Sequence, residues 1–471
     1  MHINHLFIPK YYHLENFKCD FKKPISVFIG ENGSGKSRVL EAIIEIFRNL
    51  YYTESLPIPF AYLIKYEIAG TQIEISTLNN KYEIKLDGQP KEMSEILQVS
   101  KSWVYKKIPE KLEGILPDNI FLYYSGQSDR IVKHFGKIED DYQNGLKDGY
   151  DMGLKPLFLF NPMHGKIILL GLLASKLDGI KSFLLNNFSI IGLESFEIRL
   201  KRPKWSNSSK ANSENYWNAQ KIVKEYLSDL KLYSHNEIKL TNDRVALQFP
   251  SEKLEALINL PYIGYESKLV KILDSLNTAD FIEDVIVNFK TQDGKTISFE
   301  SLSEGEQQLI AIKGITELLR GEETLYLLDE PDNYLHPSWQ ENLLEDLAEY
   351  KQKTHFLITT HSPQLLTNAN PEYSELFVLS KGKLMEDIPN YFGKDVNSIL
   401  YSLMNSSYRN EEVSEKLDRL FKAIALQKID EAEPLYFELL EILGADDPKM
   451  VSAKSEIDFI KFDGDEVNSE K

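Results

Sequence analysis

The stretch Gly30-Glu31-Asn32-Gly33-Ser34-Gly35-Lys36-Ser37 decides how the rest of this 471-residue sequence is interpreted. It satisfies the pattern G-x-x-x-x-G-K-[ST], in which glycines let the backbone N–H groups wrap around a phosphate. The apolar run Ile25 to Ile29 precedes it and predicts a buried strand, and the residues that follow have the spacing of an amphipathic helix. Strand, glycine-rich loop and helix are the context that the pattern requires. We therefore predict a phosphate-binding loop, with the positive end of the helix dipole after Gly35 facing the anion.

The side chains at the end of this loop suit a triphosphate. Lys36 is expected to reach the β- and γ-phosphates, and the Ser37 hydroxyl is expected to be a ligand of Mg²⁺. Arg38, the next residue, is counted with the nucleotide-binding residues. The sequence therefore predicts ATP and Mg²⁺ as the ligands.

Two further apolar runs end in polar side chains. Leu325 to Leu328 lead into Asp329 and Glu330, and Phe356 to Thr359 lead to His361. Because the carboxyl ends of parallel strands meet at one edge of a sheet, we expect these side chains to lie beside the phosphate loop. Asp329 is predicted to hold Mg²⁺, usually through water, and Glu330 to orient or deprotonate the attacking water.

The segment Leu302-Ser303-Glu304-Gly305-Glu306-Gln307-Gln308 begins a predicted helix directly after a strand. Its S-x-x-E spacing also makes a capping box, which is compatible with a functional role. The order of phosphate loop, Gln127 after a strand, this segment, the Asp329-Glu330 strand end and the strand before His361 resembles the heads of ABC ATPases. Within them it is similar to the group of SMC, RecF and related repair and defence ATPases rather than to transporters.

This resemblance implies roles that the residues alone do not. Ser303 and Gly305 of one copy would cap the γ-phosphate bound to a second copy, so that two heads close around Mg-ATP as a homodimer. His361 would be the histidine that contacts the γ-phosphate and the attacking water, and Gln127 would link Mg²⁺ to a helical lobe. Glu304 and Glu306 depart from the Gly and Gln of transporters, as in the non-transporter members.

The fold class implied is α/β: an ABC-ATPase (P-loop NTPase) head with an antiparallel β-subdomain, an inserted helical domain and a C-terminal helical extension. Strands between Ala61 and Leu86 would form the β-subdomain. The region between Gln127 and Ser301 has no sustained heptads, so long coiled-coil arms are not expected. The predicted domains are an N-terminal ATPase lobe (1–135), the inserted helical domain (136–280), a C-terminal ATPase lobe (281–385) and a helical partner-docking region (386–471).

The C-terminal region resembles one particular group within these ATPases. Gly393 to Leu400, an amphipathic helix pair and Ala445-Asp446-Asp447-Pro448 are similar to the PtuA ATPases of Septu and retron anti-phage systems. That similarity implies a head-to-head dimer that can enter larger assemblies, and a partner effector, an HNH nuclease, docked on the C-terminal helices. The ATPase of the PARIS defence system, which sequesters a toxin, has a related layout. The acidic tail from Phe462 onward is predicted to be disordered.

Composition limits the alternatives. Lys plus Arg total 54 against 72 Asp plus Glu, a net charge of −18, so bulk charge argues against a broad nucleic-acid face. A RecF-like DNA clamp, in which ATP closes the heads on duplex DNA, remains an alternative. Separately, Arg199, Lys201, Arg202 and Lys204 beside Trp205 form a basic and aromatic cluster that could grip a nucleic-acid backbone, although we favour a solvated strand end for it. A standalone nuclease is the least favoured alternative, because the sequence shows no carboxylate cluster outside the predicted ATP site. The single cysteine and the lack of a long apolar run or signal segment predict a cytoplasmic protein without membrane spans.

Overall fold

The chain is described here by a computed structural model covering residues 1–51, 58–92, 115–126, 129–148, 155–206, 211–260, 262–403 and 410–469. It forms two compact units, Met1–Gly393 and Lys394–Lys471. The larger unit contains the phosphate loop and three sheets, and the smaller unit is helical in its described part.

The strands all belong to the larger unit. Their bounds are β1 (His2–Tyr11), β2 (Leu14–Asp20), β3 (Ile25–Gly30), β4 (Leu63–Ile68), β5 (Thr71–Ser76), β6 (Glu83–Leu86), β7 (Gln89–Lys91), β8 (Asn119–Tyr124), β9 (Leu157–Leu159), β10 (Ile190–Lys201), β11 (Asn236–Thr241), β12 (Arg244–Pro250), β13 (Ile282–Thr291), β14 (Thr296–Ser298), β15 (Thr324–Asp329), β16 (Thr354–Thr359), β17 (Ser374–Ser380) and β18 (Lys383–Leu384).

Helices occur in both units. Their bounds are α1 (Lys36–Tyr51), α2 (Asp129–Lys147), α3 (Pro162–Ala174), α4 (Asp178–Phe188), α5 (Lys221–Tyr233), α6 (Glu252–Ile258), α7 (Glu266–Thr278), α8 (Glu304–Leu318), α9 (Pro337–Ala348), α10 (Pro363–Thr367), α11 (Val396–Leu403), α12 (Glu411–Ala425), α13 (Ile429–Leu443) and α14 (Pro448–Ser469). Short 3₁₀ segments occupy Ser213–Asn218 and Phe299–Ser301. Among the residues covered by the structure, no helix combines the length and the apolar character needed to cross a bilayer.

The central sheet has seven strands in the order β18-β17-β3-β16-β15-β8-β9, and its pairings are parallel except for β17 with β18. Strands β15 and β16 are buried along their whole length, which explains their continuous apolar runs. Asp329 lies opposite both Tyr124 and Thr359, and Thr359 lies opposite Phe28. The ends of four strands therefore meet beside the phosphate loop, as the sequence predicts.

The β-subdomain is a six-stranded antiparallel sheet in the order β2-β1-β4-β5-β6-β7. The hairpins predicted between Ala61 and Leu86 are present, with Asn80 and Asp87 at positive φ in the turns. Asn and Asp tolerate this left-handed backbone better than most residues. With the parallel sheet and the helical C-terminal part, the α/β class predicted from the sequence is confirmed.

The middle of the chain is less helical than the sequence predicts. Strands β10, β11 and β12 lie in a five-stranded sheet ordered β11-β12-β10-β13-β14. In β10, Phe196, Ile198 and Leu200 are buried while the residues between them are only partly buried, the period of two that marks a half-buried strand. This sheet and the helices around it belong to the same compact unit as the phosphate loop, so the borders at 135 and 280 stay predictions.

In the smaller unit, helices α12, α13 and α14 share one apolar core. Leu420, Leu439 and Ala453, one from each helix, are fully buried in it. The predicted helix pair is present as α12 and α13. Helix α14 extends to Ser469, so its last turns lie in the segment from Phe462 onward, where disorder stays a prediction. Met450, Ala453 and Ile457 anchor the start of α14 in the core, and the helix propagates from these turns into the acidic segment.

Gly382, in the turn between β17 and β18, holds two parts of the site region together. Its N–H donates to the Ser34 carbonyl in the phosphate loop at 2.8 Å. A Cβ at this position would lie 1.9 Å from the carbonyl oxygen of His13, in the turn between β1 and β2. With φ at +79°, only glycine fits here without strain and without displacing the neighbouring backbone.

We predict that Gly382→Ala lowers the midpoint of thermal unfolding more than Gly294→Ala does. Gly294 has nearly the same φ, +80°, but an added Cβ there would meet no atom within 4 Å. The control substitution should cost about 1–2 kcal/mol for the left-handed backbone. The Gly382 variant should lose about 1–3 kcal/mol more because its Cβ overlaps the His13 carbonyl. Equal losses in the two variants, measured by scanning calorimetry, would contradict the close packing around Gly382.

Candidate functional site

The phosphate loop has a buried base and an exposed tip. Gly30, Gly33 and Gly35 all have positive φ, and a Cβ on Gly30 would lie 2.2 Å from the Leu379 carbonyl oxygen. Glu31 and Asn32 are exposed with Gly33, whereas Ser34 and Gly35 are buried. The glycines therefore allow a tight curve against β17 while the tip stays open to solvent.

Lys36 begins α1 with its ammonium group turned back onto the loop. Its Nζ donates to the Gly30 carbonyl at 2.8 Å and to the Glu31 carbonyl at 3.3 Å. Burial lowers the pKa of Lys36, and the carboxylates of Glu330 and Asp329 oppose that shift. The loop thus encloses a cationic group with two acidic residues near it, the arrangement expected for a phosphate and a divalent cation.

Asp329 joins the helix of the loop to the central sheet. Its Oδ1 accepts a hydrogen bond from the Ser37 hydroxyl at 2.8 Å and another from the Thr359 hydroxyl. Asp329 is only 3% exposed. A carboxylate and a hydroxyl are hard oxygen donors of the kind that Mg²⁺ takes together with substrate phosphates and water. Among the described residues, no group of three or more His, Cys, Asp or Glu side chains is placed so that it could hold a metal ion.

Glu330 follows Asp329 in an unusual backbone conformation, with φ at +52°. Its N–H donates to the Thr359 carbonyl at 3.0 Å, and its Oε2 accepts from the Asn333 amide at 2.8 Å. The other carboxylate oxygen, Oε1, lies 3.8 Å from His361 Nε2. The predicted base and the predicted histidine therefore face each other across a gap slightly longer than a hydrogen bond.

His361 is half-buried at the end of β16. Burial, and next the positive charge of Lys36, lower the pKa of His361 below its ordinary value, while Glu330 acts in the opposite direction. The imidazole is consequently neutral at neutral pH. A neutral ring has one N–H donor and one acceptor nitrogen, so it can orient a water molecule or a phosphate oxygen.

Ser303 and Gly305 lie at the start of α8, in a separate surface pocket. Ser303 caps the helix, accepting from the Glu306 N–H at 3.3 Å, while its own N–H and hydroxyl donate to Glu306 Oε2 at 2.7 and 2.8 Å. The capping box predicted from the sequence is therefore present. The pocket has a volume of about 640 Å³ and is lined by residues 303–306, 334–336, 338 and 339, none of which belongs to the phosphate loop.

Gly305 is buried against the loop that follows β15. A Cβ at Gly305 would lie 2.6 Å from the carbonyl oxygen of Tyr334, which itself has φ at +71°. Tyr334 is one of the most exposed large side chains, at 66%. Packing within this chain therefore requires a glycine at position 305, in addition to any role of this residue toward a ligand.

The predicted site residues divide into three sets. The structure brings together Lys36, Ser37, Asp329, Glu330 and His361. It places Ser303 and Gly305 apart from them in their own pocket. Gln127 lies outside the described residues. The catalytic and ligand roles of all these residues stay predictions.

Arg38 contacts the turn between β1 and β2. Its guanidinium carbon lies 4.1 Å from the centre of the Tyr12 ring, and its Nη1 pairs with Glu41 at 2.6 Å. Glu41 is buried and also contacts His134 of α2 at 3.0 Å. Arg38 therefore connects the phosphate-loop helix to the β-subdomain and to α2.

Sequence reasoning missed two side chains at the centre of the site. Thr359 donates to Asp329, and Asn333 donates to Glu330. Thr359 ends β16, two residues before His361, and Asn333 lies in the loop after β15, three residues after Glu330. Their polarity was a usable signal, but their hydrogen bonds depend on side-chain directions that a sequence does not specify.

Three of the four basic side chains in the cluster are paired with acidic side chains. Arg199 binds Glu197 at 2.7 Å, Lys201 binds Asp280 at 2.6 Å, and Arg202 approaches Asp243 at 3.5 Å. Trp205 donates through its indole nitrogen to the Ala279 carbonyl at 3.0 Å and packs on Phe281. These contacts favour a structural role for the cluster over a nucleic-acid contact.

The α/β fold carries a P-loop sequence between β3 and α1, and similarity to proteins named as probable ATPases supports ATPase activity. A family model described as "AAA domain, putative AbiEii toxin, Type IV TA system" matches residues 181–367. The matched region includes Ser303, Asp329, Glu330 and His361 but not the phosphate loop.

Two relatives carry the word retron in their names. The chain is 23% identical over 449 residues to the Retron Vc95 probable ATPase of Vibrio cholerae serotype O1 biovar El Tor, across 85% of this chain and 78% of that protein. It is 27% identical over 192 residues to the Retron Ec83 probable ATPase of Escherichia coli, across 37% of this chain and only 34% of that relative.

Among solved structures, the chain is similar to the crystal structure of the SmcHead bound to the C-winged helix domain of ScpA. The TM-score is 0.37 and the identity 15%, over 82% of this chain and 97% of that chain.

We predict that Lys36→Ala abolishes ATP binding measured by isothermal titration calorimetry. The substitution removes the buried ammonium group that the loop encloses, and charge-assisted contacts to phosphate are among the strongest polar contacts. Lys85→Ala is the control, because Lys85 is an exposed lysine paired with Glu74 on the β-subdomain. An unchanged affinity in the Lys36 variant would contradict the assignment of the loop.

Proposed function

We propose that this chain is the ATPase subunit of an anti-phage defence system, acting in the cytoplasm. Two copies would close head to head around two Mg-ATP, and the nucleotide state would control a separate effector protein. The similarity to two retron ATPases supports the defence setting. The observation that carries the dimer is the separation of the phosphate loop from the Ser303 pocket within one chain.

In this proposal, each half of the site supplies what the other lacks. The loop presents backbone N–H groups and Lys36 to the triphosphate of ATP. Ser303 presents a hydroxyl at the N-terminal end of α8, where the helix dipole favours an anion. Because Ser303 is exposed and its pocket is open, a second copy could bring its bound nucleotide to this helix end.

Hydrolysis would follow the logic of phosphoryl transfer. Ser37 and Asp329 would hold Mg²⁺, which when bound neutralises charge on the β- and γ-phosphates. Glu330 would accept the proton of the attacking water, and the neutral His361 would orient the water or a γ-phosphate oxygen. Lys36 and the helix ends would stabilise the charge that develops on the transferred group.

The effector is proposed to be an HNH nuclease, as the similarity to the PtuA ATPases of Septu and retron systems implies. The smaller unit offers a surface for it. Helix α13 carries five acidic residues and no Lys or Arg, and its Phe437 and Ile442 are 59% and 53% exposed. Exposed apolar side chains on an acidic helix suit a partner with a basic, partly apolar surface, although Glu431, Glu433 and Glu438 already pair with lysines of the same unit.

A DNA clamp of the RecF type is the weaker alternative. The net charge of −18 and the pairing of Arg199, Lys201 and Arg202 with carboxylates leave little free positive charge for a phosphate backbone. A toxin-sequestering role like that of PARIS would use the same heads with a different effector.

We expect Glu330→Gln to bind ATP, to hydrolyse it at least about 100-fold more slowly, and to accumulate as closed dimers. The expected loss follows from the usual contribution of a general base. Phosphate release measures turnover, and light scattering after size-exclusion chromatography measures mass. Wild-type turnover in this variant would remove Glu330 from its role.

The same background tests the two-chain site. Adding Ser303→Ala to Glu330→Gln should weaken the dimer and leave ATP binding by the monomer unchanged. Ser301→Ala is the matched control, because Ser301 is an exposed serine two residues earlier, outside the lining of the pocket. A dimer equally stable in both double variants would contradict capping by Ser303.

A further inference from the structure

Asn333, in the loop after β15, makes two side-chain hydrogen bonds at the candidate site. Its Nδ2 donates to Glu330 Oε2 at 2.8 Å and to the Ser125 hydroxyl at 3.1 Å. The two hydrogens of one amide group are therefore shared between the predicted base and the residue after β8. The side chain lies between the ends of two neighbouring strands.

The backbone supports this arrangement. The N–H of Asn333 donates to the Glu330 carbonyl at 3.3 Å, which closes a turn over Pro331 and Asp332. Ser125 follows Tyr124, whose strand position is directly opposite Asp329. Both partners of Asn333 are thus held by the central sheet, so the amide has two fixed anchors.

Glu330 depends on this contact because little else restrains its carboxylate. Within the described residues, the Asn333 amide is the only side chain within hydrogen-bonding distance of the Glu330 carboxylate, since His361 Nε2 lies 3.8 Å away. The Glu330 side chain is 34% exposed and would otherwise sample several rotamers. A base must lie within about 2.6–3.2 Å of the proton it removes, so an unrestrained carboxylate loses effectiveness.

We propose that Asn333 is a positioning residue for ATP hydrolysis. By occupying Oε2 it fixes the plane of the carboxylate and leaves Oε1, the oxygen nearer His361, to accept the proton of the attacking water. The Ser125 hydroxyl accepts the second hydrogen bond of the amide and so holds the Asn333 side chain in place. This inference rests on the proposed function, in which Glu330 is the base.

The expected effect follows from the type of bond that is lost. A hydrogen bond to a charged group is worth enough to change a rate by roughly 10–100-fold when it acts in the transition state. Asn333→Asp keeps the shape of the side chain but cannot donate, and it adds a negative charge beside Glu330. Asn333→Ala removes the contact without adding charge. We expect both variants to lower kcat by roughly 10–100-fold.

The Kd for ATP should stay within about twofold of the wild-type value, because Asn333 contacts the strand ends and not the phosphate loop. Asn342→Asp is the matched control and should keep the wild-type kcat. It makes the same chemical change on an exposed face of α9, where the amide of Asn342 donates only to the Ser338 carbonyl at 2.9 Å.

A double-mutant cycle separates positioning from a merely structural role. In a Glu330→Ala background there is no carboxylate to orient, so Asn333→Ala should cause no further loss of single-turnover rate. An additional loss of tenfold or more in that background would overturn the proposal, and so would a wild-type kcat in the Asn333→Ala single variant.

A second variant keeps the test decisive if the Asn333 variants do not fold. Ser125→Ala leaves the bond to Glu330 but removes the second anchor, and should lower kcat by about 3–10-fold, as expected for one neutral hydrogen bond. A wild-type kcat in Ser125→Ala would then count against the proposal.

The Glu330→Ala variant distinguishes failure of the inference from failure of the proposed function. If Glu330→Ala itself turned over like the wild type, the proposed function would fail together with this inference. If Glu330→Ala is inactive and the Asn333 variants are normal, only this inference fails.

Discussion

The hydrogen bonds to Asp329 are the interaction on which the site depends. A carboxylate that is almost fully buried is costly unless donors satisfy it, and the hydroxyls of Ser37 and Thr359 provide them. These two donors come from the start of α1 and the end of β16. The buried charge therefore ties the helix of the phosphate loop to two strands of the central sheet, and it fixes where Lys36, Glu330 and His361 can lie.

Much of this arrangement could be predicted, because the central strands are continuous apolar runs that end in polar residues. β15 and β16 are fully buried, so their limits are visible in the sequence at Asp329 and at Thr359. The loop pattern locates Lys36 and Ser37 in the same way. The contact between Asn333 and Glu330 was not predictable, since it depends on a turn and on two side-chain rotamers rather than on periodicity.

Two other regions show what packing adds to the sequence pattern. In β10, Arg199 and Lys201 are the outward residues of a strand whose inward residues are Phe196, Ile198 and Leu200, which agrees with the strand-end interpretation of the basic cluster. Their charges are balanced by Glu197 and Asp280, the second of which is distant in sequence. At the acidic tail, packing of Met450 and Ala453 starts a helix that extends into the acidic segment, a contribution that composition alone does not show.

The contact of Gly305 with the Tyr334 carbonyl has a mechanical consequence. Helix α8 and the loop after β15 touch at Gly305 without room for even one methyl group, so neither can move toward the other without displacing it. That loop also contains Asn333, which holds Glu330. In the proposed function, pressure on the tip of α8 from a neighbouring molecule would be transmitted within a few residues to Glu330, the proposed base, and the rate of phosphate cleavage would depend on whether a neighbour is bound.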